Sequence, residues 1–139
     1  MSEKHRVIRI DLLGHGQTEN QNEVHSMEDQ AALVKAVLEE LGIDKYTVIG
    51  HSMGGYIALA LAEIYPEDLK GLCLMNSTSM ADSDEKKLNR DRAVEAVENN
   101  HRSFIRIAIP GLFAPKSRDR FENKAVSYTH LTLPTIPLV

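Results

Sequence analysis

The sequence lacks several features, and each absence argues against a class of protein. It has no tryptophan and one cysteine, Cys73, so it cannot form an internal disulfide, which is typical of a reducing compartment such as the cytoplasm. No apolar run approaches the ~20 residues of a membrane span. The net charge of −4 argues against a nucleic-acid partner or an anionic membrane surface. The start, MSEK, does not resemble a signal peptide.

The end of the sequence, residues 126–139, differs in composition from the rest. It reads VSYTHLTLPTIPLV, and every aspartate, glutamate, lysine and arginine of the chain precedes it. One interpretation is an apolar C-terminal strand. We favour another, because VSYTHLTLPT resembles the translation of a transposase-type sequencing adapter. The adapter's index sequence would encode the next three residues, Ile136–Leu138, and Val139 falls just before the expected stop codon. We therefore treat residues 126–139 as a non-native tail and leave them out of the fold prediction.

Apolar patterning in the rest of the chain predicts alternating strands and helices. Short β-branched or apolar runs indicate strands, and apolar residues at steps of three and four indicate helices. The predicted elements are a strand at Val7–Ile10, a helix from the capping box of Ser26 and Asp29 to Gly42, a strand at Tyr46–Ile49, a buried helix at Tyr56–Tyr65, a strand at Leu69–Met75 covered on both faces, and two charged helices, one capped by Asp82 and running to about Asn100 and one near Ser103–Ile109. This order is typical of an α/β fold with parallel strands.

The motif Gly50-x-Ser52-x-Gly54 lies between a predicted strand and a predicted buried helix, which is the context of a nucleophile elbow. The sharp turn strains the central residue, so Gly50 and Gly54 must be small, and Gly55 lets the helix pack closely on the sheet. Ser52 then projects near the helix N-terminus, where free N–H groups favour developing negative charge. We predict Ser52 as the nucleophile and the Met53 N–H as the first oxyanion donor. The alternative is a glycine-rich turn that contains a serine by chance.

Several segments resemble the α/β-hydrolase superfamily, in particular its esterase-like serine hydrolases. They are DLLGHGQT, GHSMGG, and YIALALAEIYP followed by LKGLCLMNST. Thr18 stands where this branch usually has serine. The resemblance implies a partial α/β-hydrolase fold with an incomplete parallel sheet, in which the three predicted strands are the family's fourth, fifth and sixth. It implies that residues 1–80 form part of the core and that residues 81–125 begin a helical lid.

By the same resemblance, the family's first three strands would precede residue 1. A signal peptide ahead of those strands therefore remains an alternative to a cytoplasmic location. The family's third strand lies between its fourth and fifth. Without it, the predicted strands at Val7–Ile10 and Thr47–Ile49 would lie ~9.6 Å apart, which is twice the strand spacing. We therefore expect either a gap between them or their direct pairing.

The resemblance also implies that the catalytic acid and histidine follow residue 125. Within the chain, Ser52, Asp82 or Asp84, and His101 come in the order of a triad. We favour helix capping for the two carboxylates and a position between two lid-like helices for His101. Asp82 remains an alternative acid, because some family members carry the acid after the sixth strand.

The resemblance implies a parent enzyme that hydrolyses a small-molecule ester, thioester or similar acyl substrate through an acyl-enzyme on Ser52. It implies neither a metal nor a cofactor. The chain alone is expected to be inactive, because the proton relay would lie outside it. The alternatives are another chemistry on the same fold, such as C–C bond hydrolysis, a menaquinone-pathway elimination or perhydrolysis, and a non-catalytic binding protein.

Overall fold

The structure is a computed structural model that describes residues 4–117 and residue 120. These residues divide into two compact units, one up to Met80 and one from Ala81 onward. The elements in chain order are α1 (Met27–Glu40), β1 (Tyr46–His51), α2 (Met53–Ile64), a 3-10 helix at Pro66–Asp68, β2 (Leu69–Met75), α3 (Asp84–Gly111) and a 3-10 helix at Pro115–Ser117. Two parallel strands alternating with helices confirm the predicted partial α/β fold. The predicted tail at 126–139 lies outside the described residues.

The capping box predicted at the start of α1 is confirmed. The Ser26 hydroxyl accepts a hydrogen bond from the Asp29 N–H at 3.1 Å, and the Asp29 carboxylate accepts one from the Ser26 N–H at 2.9 Å. These bonds hold the pKa of Asp29 below its usual range. Gly42 follows the helix with a φ of +66°, the left-handed conformation that ends many helices. The helix therefore begins and ends where the sequence predicts.

The sheet has two strands among the described residues, β1 and β2, which pair in parallel with Val48 opposite Leu72. The predicted strand at Val7–Ile10 is wrong, because these residues belong to no strand or helix. Residues 7–12 still alternate between exposed and half-buried side chains, as an extended chain does. A cleft of about 920 Å³ is lined by residues 5–10 on one side and by β1 on the other. Residues 7–10 therefore have no neighbouring strand with which to form backbone hydrogen bonds. The predicted gap is thus confirmed.

The core of the first unit forms where α1 and α2 meet. Ala31 of α1 and Leu61 of α2 are at most 1% exposed, and Val48 and Leu69 pack against them from the strands. The other face of the sheet is left open by the described residues of the first unit. Ile49 of β1 and its partner Cys73 of β2 are exposed on that face, as is Met75. The prediction that β2 is covered on both faces is therefore wrong for the described part of the chain, which supplies helices to one face.

Gln30 is a buried polar side chain that holds the loop after residue 10. It lies on α1 and is 4% exposed. Its amide group donates to the Leu13 carbonyl at 3.2 Å and accepts from the Leu13 N–H at 2.9 Å. Both backbone groups of a buried loop residue are thereby satisfied by one side chain. Sequence patterning missed this role, because a glutamine beside an apolar helix face resembles an ordinary solvated residue.

Replacing Gln30 with alanine is expected to lower the free energy of unfolding by about 1–3 kcal/mol, because the Leu13 N–H would be left buried without a partner and the Leu13 C=O would keep only the His15 ring. Urea unfolding followed by circular dichroism measures the change. Gln21→Ala is the matched control, since Gln21 is exposed, and it should leave the midpoint unchanged. Equal midpoints for the two variants would contradict the role assigned to Gln30.

Helix α3 is two helices joined at a break. Asn100 has non-helical angles, with φ −162° and ψ 83°, and its side chain accepts a hydrogen bond from the Ser103 N–H at 3.0 Å. The two charged helices predicted for this region are thus confirmed. The predicted cap is one residue off, because Ser83 and not Asp82 caps the first helix by accepting from the Lys86 N–H. Asp82 pairs with Arg90 instead.

Candidate active site

Ser52 occupies a sharp turn between β1 and α2. The strand ends at His51 and the helix begins at Met53, so a single residue makes the change of direction. Ser52 has φ 53° and ψ −118°, and a positive φ is uncommon for a residue with a side chain. Such backbone strain persists only where the surrounding structure fixes it, and it clusters at functional sites. The turn thus has the strained geometry predicted for a nucleophile elbow.

Backbone hydrogen bonds hold this turn from both sides. The Ser52 N–H donates to the Met75 carbonyl at the end of β2, at 3.0 Å, and the Gly55 N–H donates to the Ser52 carbonyl at 2.9 Å. The side chain of Ser52 is exposed and makes no capping bond to α2. Among the described residues, the Met53 N–H makes no hydrogen bond. The turn therefore presents a hydroxyl and, next to it, an unused N–H at the start of a helix.

The glycines around Ser52 differ in how closely they are packed. A Cβ on Gly50 would overlap the carbonyl oxygen of Gly54 and lie 2.7 Å from the Gly55 Cα. A Cβ on Gly55 would overlap the hydroxyl of Ser77. A Cβ on Gly54 would meet nothing within 4 Å. The packing around the turn thus demands glycine at 50 and 55, and it leaves room for a methyl group at 54.

The end of β2 supplies two residues beside the turn. Asn76 has a φ of +48°, and the hydroxyl of Ser77 is buried without a hydrogen-bond partner among the described residues. Sequence reasoning missed Ser77. The signal available for it was position, because the carboxyl ends of neighbouring parallel strands share one edge of the sheet.

The other polar residues of the loop after residue 10 have local structural roles. The Asp11 carboxylate accepts a hydrogen bond from the Gln17 N–H at 3.0 Å and so stabilises the turn. The ring of His15 lies 2.9 Å from the Leu13 carbonyl through Nδ1, and His15 is exposed. His51, beside Ser52, is also exposed.

The alternative triad residues Asp82, Asp84 and His101 all belong to the second unit, where the two carboxylates form ion pairs and the histidine follows a helix break. Arg90 pairs with Asp82 and holds the pKa of its carboxyl below the usual range. Asp84 lies in the first turn of α3, 3.6 Å from the Lys87 ammonium. His101 is exposed and directly follows the break at Asn100. Each residue thus has a local structural explanation.

Residues 4–117 and 120 contain no group of three or more histidine, cysteine, aspartate or glutamate side chains placed to hold a metal ion. They also contain no helix with the length and apolar content that crossing a membrane requires.

The chain belongs to the α/β-hydrolase fold family, whose sequence model matches residues 2–121. Among solved structures it is similar to a thermophilic esterase from Thermogutta terrifontis, with 29% identity and a TM-score of 0.73 over 89% of this chain and 46% of the esterase. It is 40% identical over 72 residues to a 2-hydroxy-6-oxononadienedioate/2-hydroxy-6-oxononatrienedioate hydrolase of Paraburkholderia phymatum. It is 35% identical over 75 residues to epoxide hydrolase 4 of Mus musculus.

These similarities cover only part of each relative. The chain spans less than half of the esterase, 25% of the Paraburkholderia phymatum hydrolase and 21% of the mouse protein. They establish the superfamily predicted from the sequence, with relatives that are hydrolases.

Proposed function

We propose that the chain is the nucleophile-bearing part of a serine hydrolase that cleaves a small-molecule ester or thioester. The observation that carries the proposal is the strained turn at Ser52, which exposes a hydroxyl between a parallel strand and a helix N-terminus. Similarity to an esterase over 89% of the chain supports it. The single, unpaired Cys73 favours a reducing compartment such as the cytoplasm.

The proposed reaction begins when the Ser52 Oγ attacks the acyl carbonyl and its proton passes to a histidine. The resulting oxyanion accepts a hydrogen bond from the Met53 N–H, which lies at the positive end of α2. The tetrahedral intermediate collapses to an acyl-enzyme as the alcohol or thiol leaves with the histidine's proton. Water, deprotonated by the same histidine, then attacks the acyl carbon, and the acid is released as the histidine returns the proton to the Ser52 Oγ. We propose that the histidine and its carboxylate partner come from outside residues 1–125.

The second candidate is C–C bond hydrolysis on the same turn. Its support is the 40% identity to the Paraburkholderia phymatum hydrolase over a stretch of 72 residues. Epoxide hydrolysis is disfavoured despite the similarity to the mouse protein, because enzymes of that type in this superfamily use an aspartate nucleophile and this chain has Ser52. The candidate from a different class remains a binding protein that retains the turn without catalysis.

A substrate panel with the whole protein, expressed from its complete reading frame, distinguishes these candidates. We expect turnover of 4-nitrophenyl esters or acyl thioesters and none of a vinylogous 1,5-diketone, the substrate type for C–C hydrolysis. The 139-residue chain, assayed beside it, should turn over neither substrate, because it would lack the proton relay. Turnover of the diketone alone would favour the second candidate, and turnover of neither substrate by the whole protein would favour the binding protein.

A further inference from the structure

Asn76 lies next to Ser52 at the carboxyl edge of the sheet. The strands β1 and β2 pair in parallel with His51 opposite Met75, so the residues that follow these two, Ser52 and Asn76, come next in the same register. Neighbouring strands are ~4.8 Å apart. The hydrogen bond from the Ser52 N–H to the Met75 carbonyl holds the two chains together at this point. Asn76 is therefore a lateral neighbour of the proposed nucleophile.

These two residues share an uncommon backbone conformation. Ser52 has a φ of 53° and Asn76 a φ of 48°, and no other non-glycine residue in the described part of the chain has a positive φ. Asparagine adopts such angles more readily than most residues, which by itself would explain its presence at a turn. Two such residues side by side, however, form one strained edge beside an exposed hydroxyl. Backbone strain of this kind clusters at active sites and ligand clamps.

The side chain of Asn76 is available to a ligand. It is exposed, and it makes no hydrogen bond to another described residue. The next hydroxyl along the chain, on Ser77, is instead buried beside Gly55. A carboxamide carries two N–H donors and an acceptor oxygen without a charge. Asn76 can therefore bind a hydroxyl, a carbonyl or a carboxylate group that comes close to Ser52.

We propose that Asn76 is a specificity-determining residue that hydrogen-bonds an oxygen-bearing group on the acyl part of the substrate. The proposal rests on the proposed function of Ser52. When the acyl carbon lies ~3–3.5 Å from the Ser52 Oγ, ready for attack, a group two or three bonds further along the acyl chain comes within reach of a side chain one strand away. The acyl part stays attached to Ser52 after the alcohol or thiol leaves, so a residue beside Ser52 contacts it in both halves of the reaction.

Steady-state kinetics with two matched esters tests the proposal on the whole protein. The substrates are 4-nitrophenyl butyrate and 4-nitrophenyl 3-hydroxybutyrate, which differ by one hydroxyl. We expect kcat/KM of the wild type to be at least about tenfold higher for the hydroxy ester, since a site that binds a hydroxyl discriminates against an analogue without it. Asn76→Gly should reduce this preference to less than about twofold, because glycine keeps the positive φ without strain and removes the amide. Asn22→Gly, at another exposed asparagine, is the control and should keep the preference.

A charge variant gives an answer that does not depend on the stability of the glycine variant. Asn76→Asp keeps the shape of the side chain and adds a carboxylate. It should lower the ratio of kcat/KM for 4-nitrophenyl hemisuccinate, whose acyl chain ends in a carboxylate, to that for the butyrate ester at least about tenfold, through like-charge repulsion. The control is Lys70→Gln, which makes the same change in net charge at an exposed position of β2. It lies six residues along the strand, or ~20 Å away, beyond the ~8 Å over which salt screens charges, so the ratio should not change.

The outcomes separate the role of Asn76 from the function of Ser52. Ester hydrolysis by the wild type without a preference for the hydroxy ester, a preference that Asn76→Gly retains, or an unchanged hemisuccinate ratio in Asn76→Asp would each overturn the role of Asn76 and leave the proposed function standing. A wild-type protein that hydrolyses none of the three esters would overturn both.

Discussion

Replacing Ser52 with alanine in the whole protein is expected to lower kcat by at least about 10³-fold, with little change in KM. The hydroxyl forms the covalent bond to the acyl group, so its removal abolishes the acyl-enzyme route. Substrate binding should persist, because Ser52 is exposed at a turn held in place by two backbone hydrogen bonds, one donated to the Met75 carbonyl and one accepted from the Gly55 N–H. Steady-state kinetics on an ester that the wild-type protein hydrolyses measures both parameters.

The matched control is Ser79→Ala, which removes the hydroxyl of another exposed serine after β2. Its kcat should stay within about twofold of the wild type. Unfolding curves for both variants separate loss of chemistry from loss of structure. A Ser52→Ala protein that is folded and keeps its kcat would show that another group attacks the substrate.

Replacing Gly50 with alanine is expected to lower the free energy of unfolding by at least about 2 kcal/mol, because the new methyl group overlaps backbone atoms of Gly54 and Gly55. Backbone cannot move aside as a flexible side chain can, so the strand and the helix must separate. The same displacement would disturb the turn at Ser52, and ester hydrolysis by the whole protein should fall with stability. Urea unfolding measures the first effect and the ester assay the second.

Gly54→Ala is the control for this prediction. It adds the same methyl group four residues away, in the first turn of α2, where the Cβ would meet nothing within 4 Å. Because alanine favours a helix over glycine by up to ~1 kcal/mol, this variant should be as stable as the wild type or slightly more stable. Equal destabilisation by both substitutions would show that the packing around Gly50 does not set the geometry of the turn.

The sequence predicted the elements whose signals are local. Ser26 and Asp29 satisfy each other's backbone groups within one turn, so the start of α1 depends on little else. The turn was likewise predicted from the succession of a strand, Ser52 and a buried helix. The signals for that strand and that helix come from residues close together in the sequence. The start of that helix was predicted less well: it was expected at Tyr56, and α2 begins at Met53, because the glycines at 54 and 55 hide the helical signal of the first turn.

The features that the sequence missed depend on distant partners. Val7–Ile10 has the composition of a strand, but a strand forms only beside another, and the described residues offer none at that position. Gln30 bonds to Leu13 across the fold, and no periodic pattern marks such a pair. The tight fit of Gly50, as against the open space at Gly54, likewise depends on how α2 crosses the end of β1. Exposure of Cys73 arises because the described helices cover one face of the sheet.

Mapping a fluorophosphonate adduct is the most direct test of Ser52 as the nucleophile. The whole protein would be treated with the reagent, digested, and its modified peptide sequenced by tandem mass spectrometry. We predict phosphonylation at Ser52 alone, absent from Ser52→Ala and absent from the 139-residue chain by itself. An adduct on any other residue of the whole protein, with Ser52 unmodified, would contradict the assignment.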